Sequence, residues 1–245
     1  REGLEIHHDG DLPARTGLGS SSSFTVGLLL ALRSLQGKMI SKRELASEAI
    51  YVEQNMIREN VGAQDQVAAA FGGINCIEFG PGGKFKVQPL PLPARRLERL
   101  QSCLMLFFTG MSRIASDVAA DQIRNVPNRA RELTAMRRMV DRAMDILSGD
   151  SDLTDFGLLL HDTWMLKKKL SDRISNTDID GLYEAGRKAG ALGGKLLGAG
   201  GGGFVLLFVE PEKQDRVREA LGGSGYLHVP FRFDNLGAQI VFYQP

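Results

Sequence analysis

The feature that most constrains the fold is a glycine- and serine-rich loop between a short alternating segment and a long apolar one. Residues 17–23 read Gly-Leu-Gly-Ser-Ser-Ser-Ser, after an alternating segment at residues 4–8 that predicts a strand. Residues 24–35 are apolar on almost every side, which predicts a buried helix whose first turn is capped by serines. The sequence therefore predicts a strand, a loop and a helix whose amino end is fixed inside the protein.

Such a loop has the chemistry of an anion-binding site. The first N–H groups of a helix have no partners within it, and the helix dipole adds positive potential at that end. Gly17 and Gly19 would let a phosphate approach the main chain, and serine hydroxyls can bind phosphate or magnesium. No Gly-Lys-Ser/Thr follows, so the loop is not a Walker A motif, and it is not Gly-x-Gly-x-x-Gly. On its own, it also fits a plain linker with an N-cap.

The remaining patterns predict an α+β protein of two domains. Strands separated by helices and followed by a final pair of strands are typical of that class. A proline-rich stretch at residues 89–93 places the domain boundary near residue 95, giving domains 1–95 and 96–245. Helices are predicted over residues 42–59, 64–71, 114–125, 128–147, 153–170, 178–192 and 212–221. Further strands are predicted over residues 74–79, 103–109, 204–209, 226–233 and 238–243.

Composition excludes several classes of function. Lys and Arg total 30 against 29 Asp and Glu, so the net charge of +1 gives no field to hold a nucleic acid. No stretch approaches the roughly eighteen apolar residues that span a bilayer, and the start has no export pattern. Both cysteines lie in apolar runs, where reduced thiols are expected. We expect a cytoplasmic protein without nucleic-acid or membrane partners.

Two acidic residues stand out as candidates for catalysis. Glu53 falls in the middle of the apolar arc of the helix predicted over residues 42–59, where a carboxylate is costly unless it is paired or binds a metal. A buried salt bridge is the alternative. Asp65 lies at the start of a short alanine-rich helix, where it could equally be an N-terminal acid that interacts with the dipole.

Other polar residues give weaker signals. Arg113 follows a predicted buried strand and could meet an anionic substrate or form a surface salt bridge. Residues 167–169 are all lysine and fit a solvated helix face, whereas Trp164 fits a helix core. The four histidines have no metal-ligand spacing and fit structural or solvent-facing roles.

Two motifs resemble those of a known family. Pro13-x-x-x-Gly17-Leu18-Gly19-Ser20-Ser21 is similar to the central motif of the GHMP kinases, the family of galactokinase, homoserine kinase, mevalonate kinase and phosphomevalonate kinase. The run from Lys195 to Gly203 resembles the family's C-terminal motif, in the expected order. Residues 64–73 and 108–113 are most similar to the bacterial heptose 7-phosphate kinases within the family. The family's first motif has no counterpart, so we expect further residues upstream.

The resemblance implies a fold and a set of roles. It implies a ribosomal S5-like N-terminal domain, a ferredoxin-like C-terminal domain, and an active site between them. ATP phosphates would lie against Gly17, Leu18, Gly19, Ser20, Ser21 and Ser22. Mg²⁺ would lie between Ser21 and Glu53, and Asp65 would accept or orient the proton of the acceptor hydroxyl. Arg113, Gly200, Gly201 and Gly202 would bind on the acceptor side.

The resemblance also implies an acceptor. The expected substrates are ATP and a sugar or sugar phosphate, with the anomeric hydroxyl of D-glycero-D-manno-heptose 7-phosphate as the leading acceptor. A galactose- or fucose-type sugar-1-kinase is the alternative, and a catalytically silent sugar sensor of the same fold is another. Joint retention of Asp65, Glu53 and Ser21 argues against the sensor. A homodimer stays open.

Overall fold

The computed structural model describes residues 3–14, 16–111 and 115–244, except for the side chains of residues 115–117. Its helices are α1 Ser20–Leu35, α2 Lys42–Tyr51, α3 Gln64–Phe71, α4 Ala94–Ser102, α5 Ala115–Asn125, α6 Ala130–Ser148, α7 Thr154–Lys168, α8 Thr177–Ala189 and α9 Gln214–Gly222. Its strands are β1 Asn75–Phe79, β2 Phe85–Pro89, β3 Leu104–Phe108, β4 Gly193–Leu196, β5 Phe204–Phe208 and β6 Leu227–Val229. A π-helical turn, Val52–Met56, continues α2.

The second half is built on a four-stranded antiparallel sheet in the order β4-β5-β3-β6. Helices α5–α8 connect β3 to β4, and α9 connects β5 to β6. This order of strands and crossovers is the ferredoxin-like arrangement predicted for this half. Its core contains the fully buried side chains of Phe107, Trp164, Tyr183 and Leu207, so Trp164 is a core residue as predicted.

The first half combines three helices with a hairpin. Strands β1 and β2 pair in antiparallel register from Asn75↔Pro89 to Phe79↔Phe85. Helices α1–α3 pack around a separate core that includes Val26, Leu45 and Val67. The predicted α+β class is confirmed, whereas the S5-like form of this half and the boundary near residue 95 stay predictions.

Helix α2 begins as its sequence predicts. The Ser41 hydroxyl accepts from the Glu44 N–H, and the Glu44 carboxylate accepts from the Ser41 N–H at 3.0 Å, which completes a capping box. The π-helical turn follows directly and ends at Met56, three residues short of the predicted end at Glu59. Helix α3 packs against both α1 and α2, which holds α2 and α3 beside the helix that the glycine- and serine-rich loop precedes.

Several expectations for the first helix and the chain ends are wrong. Helix α1 was predicted to be buried, but its only buried residues are Ser22, Thr25 and Val26. Phe24 is 40% exposed. Residues 4–8 and 238–243 form no strand, since no neighbouring strand of the described chain pairs with them. An alternating pattern predicts a strand only where an edge is available to complete its hydrogen bonds.

Two elements escaped sequence reasoning. Helix α4 follows directly on the proline-rich stretch, where a domain boundary was expected. Strand β4 begins with Gly-Gly-Lys, residues that disfavour strands. The sequence analysis predicted a glycine-rich turn at this position, directly after the helix predicted over residues 178–192. Within the described chain, no helix has both the length and the apolar character needed to cross a membrane.

Candidate active site

The amino end of α1 offers backbone donors. Gly19 is the N-cap in the left-handed region (φ 72°), and no side chain caps the helix, so the predicted serine caps are absent. The first intrahelical bond runs from the Ser23 N–H to Gly19 O at 2.8 Å. The N–H groups of residues 20–22 therefore have no acceptor among the described residues. Aligned, unpaired N–H groups at the positive end of a helix dipole bind anions.

Asp65 lies against this loop. A Cβ atom on Gly19 would lie 3.2 Å from Cγ and 3.3 Å from Oδ2 of Asp65. Asp65 is in the first turn of α3 but does not cap it, because the N-cap is Ala63 and forms no side-chain bond. Burial raises the pKa of Asp65, the nearby Glu53 raises it further, and a hydrogen bond with Gln64 opposes both. The loop and a basic carboxylate are thus in contact.

Glu53 is held by one carboxylate oxygen. Its side chain is 1% exposed, in the π-helical turn. Oε2 accepts from Ser22 Oγ at 3.0 Å and from Gln66 Nε2, while Oε1 is buried without a partner. None of the ion pairs of the described residues includes Glu53, so these residues give the salt-bridge alternative no support. A buried carboxylate oxygen without a partner is costly unless a ligand completes it.

Glu53 is hydrogen-bonded to the serine that follows the predicted metal ligand Ser21, and the sharing of Mg²⁺ between Ser21 and Glu53 stays a prediction. Ser22 is buried and bonds to Glu53, whereas Ser21 is exposed one residue earlier on α1. The remaining donor set still fits magnesium. Mg²⁺ is held by one or two carboxylates and completes its coordination with water and substrate phosphates. The described residues contain no cluster of three or more His, Cys, Asp or Glu that would suit a metal caged by protein.

The glycine run of residues 198–203 interlocks with the loop before α1. A Cβ atom on Gly198 would lie 2.6 Å from Gly17 Cα, and one on Gly17 would lie 3.0 Å from Leu197 O. A Cβ atom on Gly203 would lie 2.0 Å from Thr16 O. Only glycine permits two backbones to approach this closely, so the two glycine-rich segments form one site.

The carbonyl groups of the run are bonded to other elements of the protein. Lys167 Nζ donates to Gly198 O at 2.6 Å, and Gln122 Nε2 donates to Ala199 O at 2.5 Å. Thr109 Oγ1 donates to Gly203 O at 2.9 Å. These bonds fix the run to α7, α5 and the end of β3.

The three glycines predicted on the acceptor side differ in their surroundings. Gly200 packs on Ile174 and Gly202 on Met111, with a Cβ atom at 2.7 Å and 2.9 Å from the nearest backbone atom. The N–H of Gly201 donates to Ile174 O at 2.9 Å. Gly201 therefore supports the fold of the run rather than offering a free donor.

Comparison with known proteins agrees with this geometry. Residues 1–73 match the family model for the GHMP kinases N terminal domain, and residues 138–227 match that for the GHMP kinases C terminal. The chain belongs to the GHMP kinase family. The matched N-terminal region contains both carboxylates, and the matched C-terminal region contains the glycine run.

Relatives of this GHMP kinase family member include sugar kinases. The chain is 31% identical over 220 residues to the D-glycero-alpha-D-manno-heptose 7-phosphate kinase of Campylobacter jejuni, covering 89% of the chain and 65% of that protein. It is 28% identical to the bifunctional fucokinase/GDP-fucose pyrophosphorylase of Arabidopsis thaliana, and this match covers 89% of the chain and 21% of that protein. The crystal structure of a D-glycero-D-manno-heptose 1-phosphate kinase from Bacteroides thetaiotaomicron superposes with a TM-score of 0.70 at 28% identity, covering 96% and 66%. The chain thus spans about two thirds of the length of these heptose kinases.

The sequence analysis missed two buried polar residues near the candidate active site. Lys167 was assigned to a solvated face but is 9% exposed. It lies three residues after Trp164 on the buried side of α7, and that helical spacing could have revealed it. Gln66, 0% exposed, holds Glu53, and only its adjacency to Asp65 hinted at a role. Arg113 lies outside the described residues and stays a prediction.

Proposed function

We propose that this GHMP kinase chain carries out ATP-dependent phosphoryl transfer to a sugar hydroxyl. The observation that carries the proposal is the contact between Asp65 and the loop at the amino end of α1. A proton acceptor thereby adjoins a row of unpaired N–H groups suited to phosphate. Kinases need these parts in one place, because phosphoryl transfer depends on positioning and charge stabilisation.

Asp65 is the proposed proton acceptor. As the acceptor oxygen bonds to the γ-phosphorus and the bond to the ADP oxygen breaks, the hydroxyl proton passes to the carboxylate. The pKa of Asp65 is raised by burial and by Glu53, which makes the carboxylate a better base. The N–H groups of residues 20–22 hold the phosphate oxygens in position.

Glu53 is the proposed protein ligand for Mg²⁺, through Oε1. Ser22 and Gln66 occupy the other oxygen and fix the orientation of the carboxylate. The exposed hydroxyl of Ser21 remains available as the second protein ligand. When bound, Mg²⁺ neutralises charge on the phosphate oxygens.

The proposed acceptor is the anomeric hydroxyl of D-glycero-D-manno-heptose 7-phosphate. The relatives named as heptose kinases support this choice, and the fucokinase relative supports a sugar-1-kinase of another specificity as the second candidate. Arg113 is the proposed cation for the acceptor's phosphate.

A coupled assay of ADP release over a panel of acceptors tests the proposal. The panel contains heptose 7-phosphate, galactose, fucose and mevalonate, the last as a non-sugar acceptor of the family. Turnover with a sugar, and a ³¹P NMR signal of an anomeric phosphate, is the expected result. Turnover with mevalonate alone would contradict the sugar assignment. Tight sugar binding without turnover would favour the sensor alternative.

A further inference from the structure

Two successive peptide groups in the glycine run are held by side chains from outside it. Lys167 on α7 donates to Gly198 O, and Gln122 on α5 donates to Ala199 O. The described residues contain no cis peptide bond, so each N–H points opposite to the carbonyl of its own peptide group. The N–H groups of Ala199 and Gly200 therefore face away from Lys167 and Gln122.

These N–H groups have no acceptor among the residues that the structure describes. Gly200 is buried, and a buried N–H without a partner is rare in folded proteins. Positive φ angles at Gly198 (67°) and Gly200 (130°) bend the backbone around Ala199. Successive N–H groups that converge from such a bend form a concave site for an anion.

Lys167 is an unusual residue to find behind this bend. Its ammonium group also donates to Leu196 O at 3.2 Å, and it pairs with no carboxylate of the described chain. Burial, and to a smaller degree Lys195, lowers the pKa of Lys167 to about 7. The adjacent Lys168 instead forms an ordinary ion pair with Asp180 at 3.1 Å. Burying a cation without a counter-ion is costly. We therefore infer that the structural role of Lys167 is to hold the two carbonyl groups to which it donates.

The site formed by these groups lies beside the proposed phosphate loop. Gly198 is in backbone contact with Gly17, two residues before the N-cap of α1. An anion at Ala199 and Gly200 would thus lie next to the anion at α1.

We propose that Lys167 and Gln122 are positioning residues that turn the N–H groups of Ala199 and Gly200 toward a phosphate oxygen. The inference rests on the proposed phosphoryl transfer. The phosphate belongs either to the group in transfer or to the acceptor, and both have the same anionic chemistry. Removing either side-chain donor lets its peptide group rotate and misaligns one N–H.

The experiment compares Lys167→Met and Gln122→Met with Lys168→Met as the matched control. The affinity for inorganic phosphate is measured by calorimetry, with and without saturating ADP to occupy the loop at α1. A hydrogen bond to a charged group contributes enough that each of the first two variants should bind phosphate roughly tenfold more weakly. Lys168→Met should match the parent.

Kinetics with ATP and the acceptor distinguish the two sources of phosphate. A higher acceptor KM at unchanged kcat assigns the site to a phosphate of the acceptor, whereas a lower kcat at unchanged KM assigns it to the group in transfer. Both results support the inference. Parental phosphate affinity in Gln122→Met would overturn the inference. A lower melting temperature in that variant would then leave Gln122 with a scaffold role only. Phosphate binding is measured without turnover, so it decides the inference even if the parent phosphorylates none of the acceptors.

Discussion

Replacing Gly19 with alanine isolates the contact on which the proposed chemistry depends. The new Cβ atom would lie 3.2–3.3 Å from three atoms of the Asp65 side chain, closer than an ordinary contact. Asp65 must then shift by a few tenths of an ångström. Alanine at position 19 is also strained by the positive φ of 72°, which lowers the unfolding free energy by about 1 kcal/mol.

Gly37→Ala is the matched control. Gly37 has nearly the same φ, 66°, but a Cβ atom there has no neighbour within 4 Å, and it follows the far end of α1. Urea unfolding should show that both variants lose about 1 kcal/mol. A misplacement of ~1 Å can cost a hundredfold in rate, so a shift of a few tenths should lower kcat roughly tenfold in Gly19→Ala alone. Equal kcat in the two variants would refute the proposed catalytic role of Asp65, the carboxylate in contact with the loop.

Two further substitutions test the proposed metal ligand and the packing of α7 against β5. Glu53→Gln should raise the Mg²⁺ concentration needed for half-maximal rate, and an unchanged magnesium titration would contradict the ligand assignment. The same variant should move the acidic limb of the pH–rate profile to lower pH, because Glu53 raises the pKa of Asp65. Gly157→Ala places a Cβ atom 2.7 Å from Phe208 Cδ1 and should lower the unfolding free energy by about 1–3 kcal/mol. Gly181→Ala is the control, because a Cβ atom there has no neighbour within 4 Å and should leave the unfolding free energy unchanged. Equal urea midpoints for the two variants would contradict the packing of Gly157 on Phe208.

The parts of the site that the sequence predicted are those set by local chemistry. The Gly-Ser loop, the helical phase that turns Glu53 inward, and Asp65 in the first turn of a short helix all follow from spacing within a few residues. The ferredoxin-like order in the second half was predictable from the family resemblance, and the alternation of strands and helices indicated only the α+β class.

The parts that the sequence missed depend on distant contacts. Ser22 rather than Ser21 meets Glu53 because the orientation of α1 relative to α2 selects the hydroxyl, and adjacent serines differ by about 100° around the helix. Lys167 is buried because β4 brings Leu196 O and Gly198 O to it, and β4 itself has poor strand residues. No local pattern encodes either arrangement.

The stability of an Asp65 variant follows from the direction of its pKa shift. Burial and Glu53 raise the folded-state pKa of Asp65, so ionising it costs stability as the pH rises through that value. Asparagine has no charge to desolvate, so Asp65→Asn should be at least as stable as the parent at neutral pH. Loss of rate in this variant therefore cannot be attributed to unfolding.

The most direct test of the account is the turnover of Asp65→Asn with the parent's best sugar acceptor. Asparagine keeps the size of the side chain but cannot accept the hydroxyl proton. The account predicts parental ATP affinity and a kcat lowered by roughly 10²–10⁴-fold, as for the loss of a general base. A kcat equal to that of the parent, with the fold intact, would contradict the account, because Asp65 would then have no part in phosphoryl transfer.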